Sequence, residues 1–170
     1  MPASVIGISM NLGYPGSQAR NDPGTMTVAR PVKTATPVKF GVPAKLNPDN
    51  THDAMIATDL FAVFAGITLR NVKQATVYAS NASGQYEKNE ACDVMTKGYV
   101  TVSVNPTASL TAGGTVFAVF TTATGEFAYY DSVSGGTGFT SVALTNAKWT
   151  TGIVDANYVA ELALLTPNVG

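Results

Sequence analysis

Short stretches of alternating hydrophobic and polar residues recur along this chain. In the clearest, Val100, Val102 and Val104 alternate with more polar neighbours. A period of two is typical of a β-strand with one buried face. Similar runs, separated by Gly, Pro and Asn turn residues, lie at 37–43, 60–69, 74–80, 115–120, 126–130, 149–154 and 158–165. The pattern predicts seven to nine short antiparallel strands, and hence an all-β single domain, a β-barrel or a β-sandwich.

Three segments need separate interpretation. Residues 44–59 are predicted to be a loop, with Asn-Pro-Asp-Asn at 47–50 as a turn. The apolar run 60–69 predicts a buried strand that is bulged or closely approached at Gly66. Residues 156–165 contain good helix formers, but their apolar side chains fall on one strand face, and we therefore favour a strand.

The first 35 residues differ from the rest of the chain. Glycines and prolines interrupt short polar stretches here, which excludes a long helix and leaves little apolar surface to bury. The segment is either a flexible terminus or an arm that becomes ordered on a partner. We divide the chain into an extended N-terminal arm, 1–35, and an all-β domain, 36–170.

Charge changes the picture, because only 12% of the 170 residues are charged and the net charge is −1. Soluble domains typically carry about 25% charged residues. The simplest account is that much of the surface faces other protein. The 10 Lys and Arg residues are scattered, which argues against a nucleic-acid partner. There is no signal-peptide pattern and no apolar run long enough to span a membrane, so we expect synthesis in the cytoplasm of the cell that makes the protein and no membrane partner.

The residues offer few means of catalysis. Cys92 is the only cysteine, and we expect it to be a small buried hydrophobic residue, not a nucleophile. His52 is the only histidine, and beside Asp53 in a polar loop it is expected to be solvated. No metal or cofactor motif is present, so we predict no metal, no cofactor and no enzymatic activity.

Two weaker candidates for chemistry remain. Glu87, Glu90 and Asp93 lie close in sequence, and glycoside hydrolysis uses paired carboxyl groups. Their position in a loop that enters a strand favours solvated carboxylates instead. Phe127, Tyr129 and Tyr130 could offer a stacking platform for sugars. Phe127 and Tyr129 share one strand face, however, and aromatic residues so placed more often belong to a core.

Residues 64–104 also carry a family pattern. The matching positions are Ala65, Gly66, Leu69, Arg70, Val72, Lys73, Tyr78, Gly84, Tyr86, Glu90, Cys92, Asp93, Val94, Gly98, Val100 and Val102. In these positions the chain resembles the structural cement, or head-decoration, proteins of tailed bacteriophages. Residues 113–117 and 159–165 match more loosely.

The resemblance implies a virion protein on the outer surface of an icosahedral head. It would assemble as a homo-oligomer, with a trimer favoured, and would bridge and stabilise neighbouring major capsid protein subunits. The alternative is a carbohydrate- or receptor-binding β-module of a phage tail or cell surface. The residues expected at the partner interface are Ile8, Met10, Leu12, Tyr14, Arg20 and Arg30.

Overall fold

The computed structural model describes residues 12–70 and 84–167. Within them the chain forms eleven β-strands and a single turn of 3₁₀-helix, Phe61–Val63. The strands are β1 (Met26–Pro31), β2 (Val38–Lys39), β3 (Pro43–Leu46), β4 (His52–Ala54), β5 (Phe64–Thr68), β6 (Gln85–Tyr86), β7 (Ala91–Ser103), β8 (Thr115–Thr121), β9 (Phe127–Asp131), β10 (Phe139–Trp149) and β11 (Val159–Leu164).

One curled antiparallel sheet contains most of the strands. Its order is β4-β3-β5-β7-β11-β10-β8-β9, β1 pairs separately with β7, and β2 and β6 form a small ribbon. The sheet nearly closes into a barrel, because Val104, just after β7, forms a parallel bridge with Tyr130 of β9. The backbone N–H of Asn105 also donates to the Tyr130 carbonyl at 3.1 Å. The all-β, barrel-like fold expected from the sequence is confirmed.

Two hydrophobic cores lie on opposite sides of the central strands. The larger core fills the barrel and contains Met95, Val100 and Val102 of β7. The smaller contains Cys92 and Val94 of the same strand. Strands β1, β7, β5, β3 and β4 curl around this smaller core, and a parallel bridge from Val32 to His52 joins the end of β1 to β4.

Several predicted elements are confirmed. β7 is a long strand in which Val100 and Val102 are buried, Val104 just after it is buried too, and 159–164 is a strand rather than a helix. All five residues of β5 are buried. A Cβ atom on Gly66 would lie 2.0 Å from the Met95 carbonyl oxygen, which is the close approach expected at this position.

Other predictions were wrong in position. The predicted loop 44–59 contains β4 and most of β3, which form a hairpin around the expected turn at 47–50. The run 60–69 begins with the 3₁₀ turn, since only 64–68 pair as a strand. Within 37–43, only Val38–Lys39 and the start of β3 are strand. Strand β10 was missed, and it ends at Trp149, where a strand over 149–154 was expected to begin. The predicted strand at 74–80 lies outside the described residues.

Part of the segment predicted as an arm, within residues 12–35, contacts the chain's own barrel. Residues 26–31 are β1, which pairs with β7 over its whole length. Residues 16–19 lie along a different part of β7. The proposal of an arm that reaches another chain therefore concerns mainly residues 1–11, which lie outside the described residues.

Gly66→Ala tests the contact between β5 and β7. The added methyl group would meet the backbone of Met95, which cannot rotate away as a side chain could. We expect the free energy of unfolding to fall by roughly 1–3 kcal/mol or more, as overpacking typically costs. Urea denaturation measures the change. Gly136→Ala is the matched control, because no atom lies within 4 Å of its added Cβ; equal stability of the two variants would contradict the close approach.

Candidate functional site

The N-terminal segment of the described chain is hydrogen-bonded to the second half of β7. The Gly16 N–H donates to the Thr101 carbonyl at 2.7 Å, and the Thr101 N–H donates to the Ser17 carbonyl at 2.9 Å. The Ala19 N–H donates to the Tyr99 carbonyl at 2.9 Å. Thr101 is buried beneath this segment although its side chain is polar. Residues 14–19 therefore run antiparallel to β7, and the chain before them leads towards the C-terminal end of that strand.

The Asp155 carboxylate forms a hydrogen bond with Leu12, the first residue that the structure describes. One of its carboxylate oxygens accepts the Leu12 N–H at 3.0 Å, and the other accepts the Asn157 and Val159 N–H groups, each at 2.9 Å. The side chain is buried. Hydrogen bonds from N–H groups to a carboxylate are stronger than neutral ones, and three of them compensate for the loss of hydration. The described chain thus begins at a fixed position beside the loop 150–158.

Tyr14 and Arg20 make aromatic and ionic contacts within the chain. The Arg70 guanidinium lies 4.3 Å from the centre of the Tyr14 ring, and Tyr14 is 66% exposed. Arg20 Nε lies 2.7 Å from Glu161 Oε1, and its guanidinium lies 5.1 Å from the centre of the Tyr99 ring. Each side chain is held in place while part of its surface remains free for a partner.

Arg30 lies on a different surface. It extends from β1 and hydrogen-bonds through Nη1 to Asn50 Oδ1 in the β3–β4 turn. The two groups meet across a cleft of about 520 Å³, which we call the β1 cleft. Its lining is mainly apolar, and includes Met26, Val28, Arg30, Leu46, Asn50, His52, Val63, Phe64, Ala65, Thr96 and Pro167.

The residues expected at the partner interface therefore do not all lie on one surface. Leu12, Tyr14 and Arg20 lie along the segment that covers the second half of β7, and Arg30 lies in the β1 cleft. Ile8 and Met10 lie outside the described residues. The cleft itself was missed by sequence analysis, because it is formed by strands distant in sequence, and Met26 and Val28 were its only local signal.

His52 was expected to be solvated, and this is wrong, since it is buried together with its neighbour Asp53. Asp53 accepts hydrogen bonds from Thr34 and Asn47, which replace its water. His52 lines the closed end of the β1 cleft, and its Nδ1 has no hydrogen-bond partner within the described chain. Burial is the main cause that lowers the pKa of His52, and the nearby charge of Arg30 lowers it further, against an opposing hydrogen bond with the Cys92 backbone.

Among the described residues, the remaining candidates for chemistry lie in a turn, in β7 and in the smaller core. No cluster of three or more His, Cys, Asp or Glu side chains that could hold a metal occurs there. Glu90 accepts the backbone N–H of Glu87 in a turn, and Asp93 is a half-buried residue of β7. Cys92 is buried, as expected. Among residues 12–70 and 84–167 we find no helix long and apolar enough to cross a bilayer.

The aromatic residues proposed as a sugar platform pack against other rings. The Phe127 ring centre lies 4.7 Å from that of Tyr130 and 5.9 Å from that of Phe120. The ring of Tyr129 lies 5.6 Å from that of Phe139. Tyr130 is fully buried, and this burial raises the pKa of its hydroxyl well above the usual value. These contacts favour a packing role over a flat exposed platform.

Comparison with known proteins identifies the family of this chain. A family model described as structural cement protein (E217 gp24/Pam3 gp6) matches residues 1–165. The chain belongs to this cement protein family. Its fold is also similar to a chain of a solved structure, the capsid of Myoviridae phage XM1, with a TM-score of 0.70, 20% sequence identity and 94% coverage of both chains. A search of curated proteins gave no significant match. The family resemblance seen in residues 64–104 is confirmed.

In this cement protein, the burial of His52 predicts a pH-dependent stability. The folded state keeps the imidazole neutral because its pKa is below the ordinary value of 6.5, whereas the unfolded chain takes up a proton near that value. Stability is therefore complete above about pH 6.5 and decreases as the pH falls below it. We expect urea midpoints of the unmodified protein to fall more between pH 8 and 5.5 than those of His52→Gln.

The titration of Asp49 does not contribute to the change in stability between pH 8 and 5.5. The hydrogen bond from Lys33 is the main cause that lowers the pKa of Asp49, to about 2. Asp49 is therefore deprotonated throughout the measurement, and Asp49→Asn serves as the control that keeps the pH dependence of the unmodified protein. Parallel pH profiles for the unmodified protein and His52→Gln would contradict a buried neutral imidazole.

Proposed function

We propose that this chain is a capsid cement protein that binds the outer surface of a phage head and bridges neighbouring major capsid protein subunits. The observation that carries the proposal is the cement family match across residues 1–165. The similar fold in a phage capsid structure agrees with it. The protein would be made in the host cytoplasm and would act as a homo-oligomer, with a trimer favoured.

The surface suits a partner that is held mainly by apolar contact. Large hydrophobic side chains remain exposed on the single chain, namely Tyr14, Met26, Ile56, Leu60, Val63, Val133, Ile153, Tyr158 and Leu165. Charged residues are few, and those of the described ranges already form three ion pairs within the chain, Arg20–Glu161, Lys33–Asp49 and Lys45–Asp59. An interface made from this surface would contain few intermolecular ion pairs, which suits a structural role.

The end of the barrel at which residue 12 is held is our candidate for one contact with the assembly. Ile153 and Tyr158 are 65% and 49% exposed, and both belong to the loop that carries Asp155. The chain before Leu12 is long enough to span about 36 Å in an extended conformation, at about 3.3 Å per residue. That length is sufficient to reach a neighbouring subunit while the barrel stays in place.

Heads that carry this protein should be more stable than bare heads. A component that binds only the intact shell stabilises it by mass action. We expect decorated heads to have a higher melting temperature and better DNA retention than undecorated heads. The difference should persist in about 1 M salt, because screening weakens mainly exposed charge pairs. Equal melting of both particle types would refute the cement role, whereas release at high salt would contradict only the apolar character of the interface.

Removal of residues 1–11 should weaken attachment without unfolding the barrel. The deletion ends before Leu12, so the Asp155 contacts and β1 are retained, whereas a deletion up to residue 30 would also remove most of β1. We expect circular dichroism and urea midpoints close to those of the full chain, with a marked loss of binding in co-sedimentation with undecorated heads. Full attachment of the truncated protein would show that these residues have no role in it.

A further inference from the structure

The β1 cleft is the place where the curled sheet around the smaller core fails to close. At one end β1 continues into the Val32–His52 bridge, and the Arg30–Asn50 hydrogen bond spans the gap beside it. Towards Met26 the strand separates from the β3–β4 hairpin, and the space between them is the cleft of about 520 Å³. Met26 and Val63 are apolar residues of this region that stay 49% and 38% exposed.

β1 presents one free backbone edge to this space. In the described chain it pairs only with β7, in antiparallel register from Met26 opposite Lys97 to Pro31 opposite Ala91. The Val32 N–H donates to the Glu90 carbonyl, so the backbone of Val32 faces β7. In an antiparallel pair, every second residue directs its N–H and C=O groups at the partner strand, and those of Thr27 and Ala29 therefore point away from β7. An unpaired strand edge of this kind is a template for another strand.

The chain itself contains a segment that matches this edge. In residues 6–12, Ile6, Ile8, Met10 and Leu12 alternate with Gly7, Ser9 and Asn11. Such alternation predicts a strand with one apolar face. The apolar face would continue the surface formed by Met26 and Val28, while the polar face would remain in water. The segment 5–10 has six residues, the same number as β1.

A chain cannot readily fill its own cleft with this segment. Leu12 is fixed at Asp155, whose backbone N–H donates to Val159, and Val159 pairs with Ser103. Val28, in contrast, pairs with Val94. Val94 lies nine residues before Ser103 on β7, and nine residues of extended strand span about 30 Å. The four residue steps from Leu12 to Ile8 span only about 14 Å. Residues 14–19 also lead the chain away from the cleft, so the donor must be another copy.

We propose that residues 5–10 of one copy add a strand to the free edge of β1 in a second copy and bury Ile6, Ile8 and Met10 in its β1 cleft. This mode of recognition is β-strand addition, in which backbone hydrogen bonds give affinity and side-chain pockets give specificity. The donor segment and the acceptor edge are different surfaces, so each copy can give one strand and receive one. Such head-to-tail contacts form a closed ring when their rotation closes. The inference rests on the homo-oligomer of the proposed function and gives it a structural basis.

Disulfide trapping between full-length chains tests the arrangement. One chain carries Ile8→Cys, the other carries Val28→Cys, and Cys92 stays in place because it is buried. The two are mixed, oxidised gently and separated on a non-reducing gel, and the linked peptides are identified by mass spectrometry, both in solution and on decorated heads. We expect an 8–28 link between chains at a yield several-fold above the controls.

Each control moves the cysteine by one residue, to the opposite face of the same strand. Ala29→Cys replaces Val28→Cys in the acceptor, since Ala29 is exposed and lies outside the cleft lining, and Ser9→Cys replaces Ile8→Cys in the donor. Equal yields for these positions, or no 8–28 link in solution and on heads, would overturn the inference. A chain that carries both Ile8→Cys and Val28→Cys and forms the link only within itself would also overturn it.

A charge at the cleft gives an independent measurement. Val28→Glu should shift the protein towards monomer in light scattering, whereas Ala29→Glu, on the exposed face of the same strand, should not. Identical oligomer distributions for two folded variants would count against strand addition. The outcomes also separate this inference from the cement role. Attachment to heads without an 8–28 link would remove the inference alone, and an 8–28 link in a protein that never binds heads would remove the cement role alone.

Discussion

Strand β7 is shared by two hydrophobic cores, and the rest of the fold depends on this. Its first half places Cys92 and Val94 in the smaller core, and its second half places Val100 and Val102 in the larger one. Gly98 lies between these halves with φ of +130°, a conformation that favours glycine. A Cβ atom there would also meet the Thr25 side chain at 3.0 Å. Val94 and Met95 already face different cores, because adjacent side chains of a strand point to opposite sides. The irregular backbone at Gly98 changes the phase of the strand, so that Val100 and Val102 face the larger core whereas Cys92 and Val94 face the smaller one.

The two cores differ in how completely their strands enclose them. Around the larger one, the bridge from Val104 to Tyr130 brings the sheet back on itself, and closure of this kind removes unpaired edges. Around the smaller one, the bridge from Val32 to His52 is the single link from the end of β1 to β4 among the described residues, so β1 keeps an open side there. The larger barrel provides a rigid body, and the smaller, incompletely enclosed part is where a further strand can be accommodated. Stability and recognition are thus located in different parts of one sheet.

The sequence was most informative where a single periodicity continued without interruption. The alternating valines of β7 and the apolar run of β5 were recognised because their burial follows from local pattern. Strand β10 was missed because its pairing with β8 shifts register between Leu144 and Lys148, so that its buried residues change phase along the strand. β4 was missed because two of its three residues, His52 and Asp53, are polar, and the burial of Asp53 depends on hydrogen bonds from Thr34 and Asn47 that a local pattern does not reveal. The β1 cleft is formed by strands distant in sequence, and the alternation of Met26 and Val28 alone could not have indicated it.

The antiparallel pairing of residues 14–19 with β7 has a mechanical consequence. The chain leaves this pairing at Leu12, along the direction of β7, and the hydrogen bonds of Gly16, Ser17 and Ala19 lie across that direction. A pull on the N-terminus along this line would load these bonds together in shear instead of breaking them one after another. The Asp155 carboxylate, held by Asn157 and Val159, would bear the force first. The attachment of the N-terminus is therefore built to transmit tension into the longest strand of the barrel.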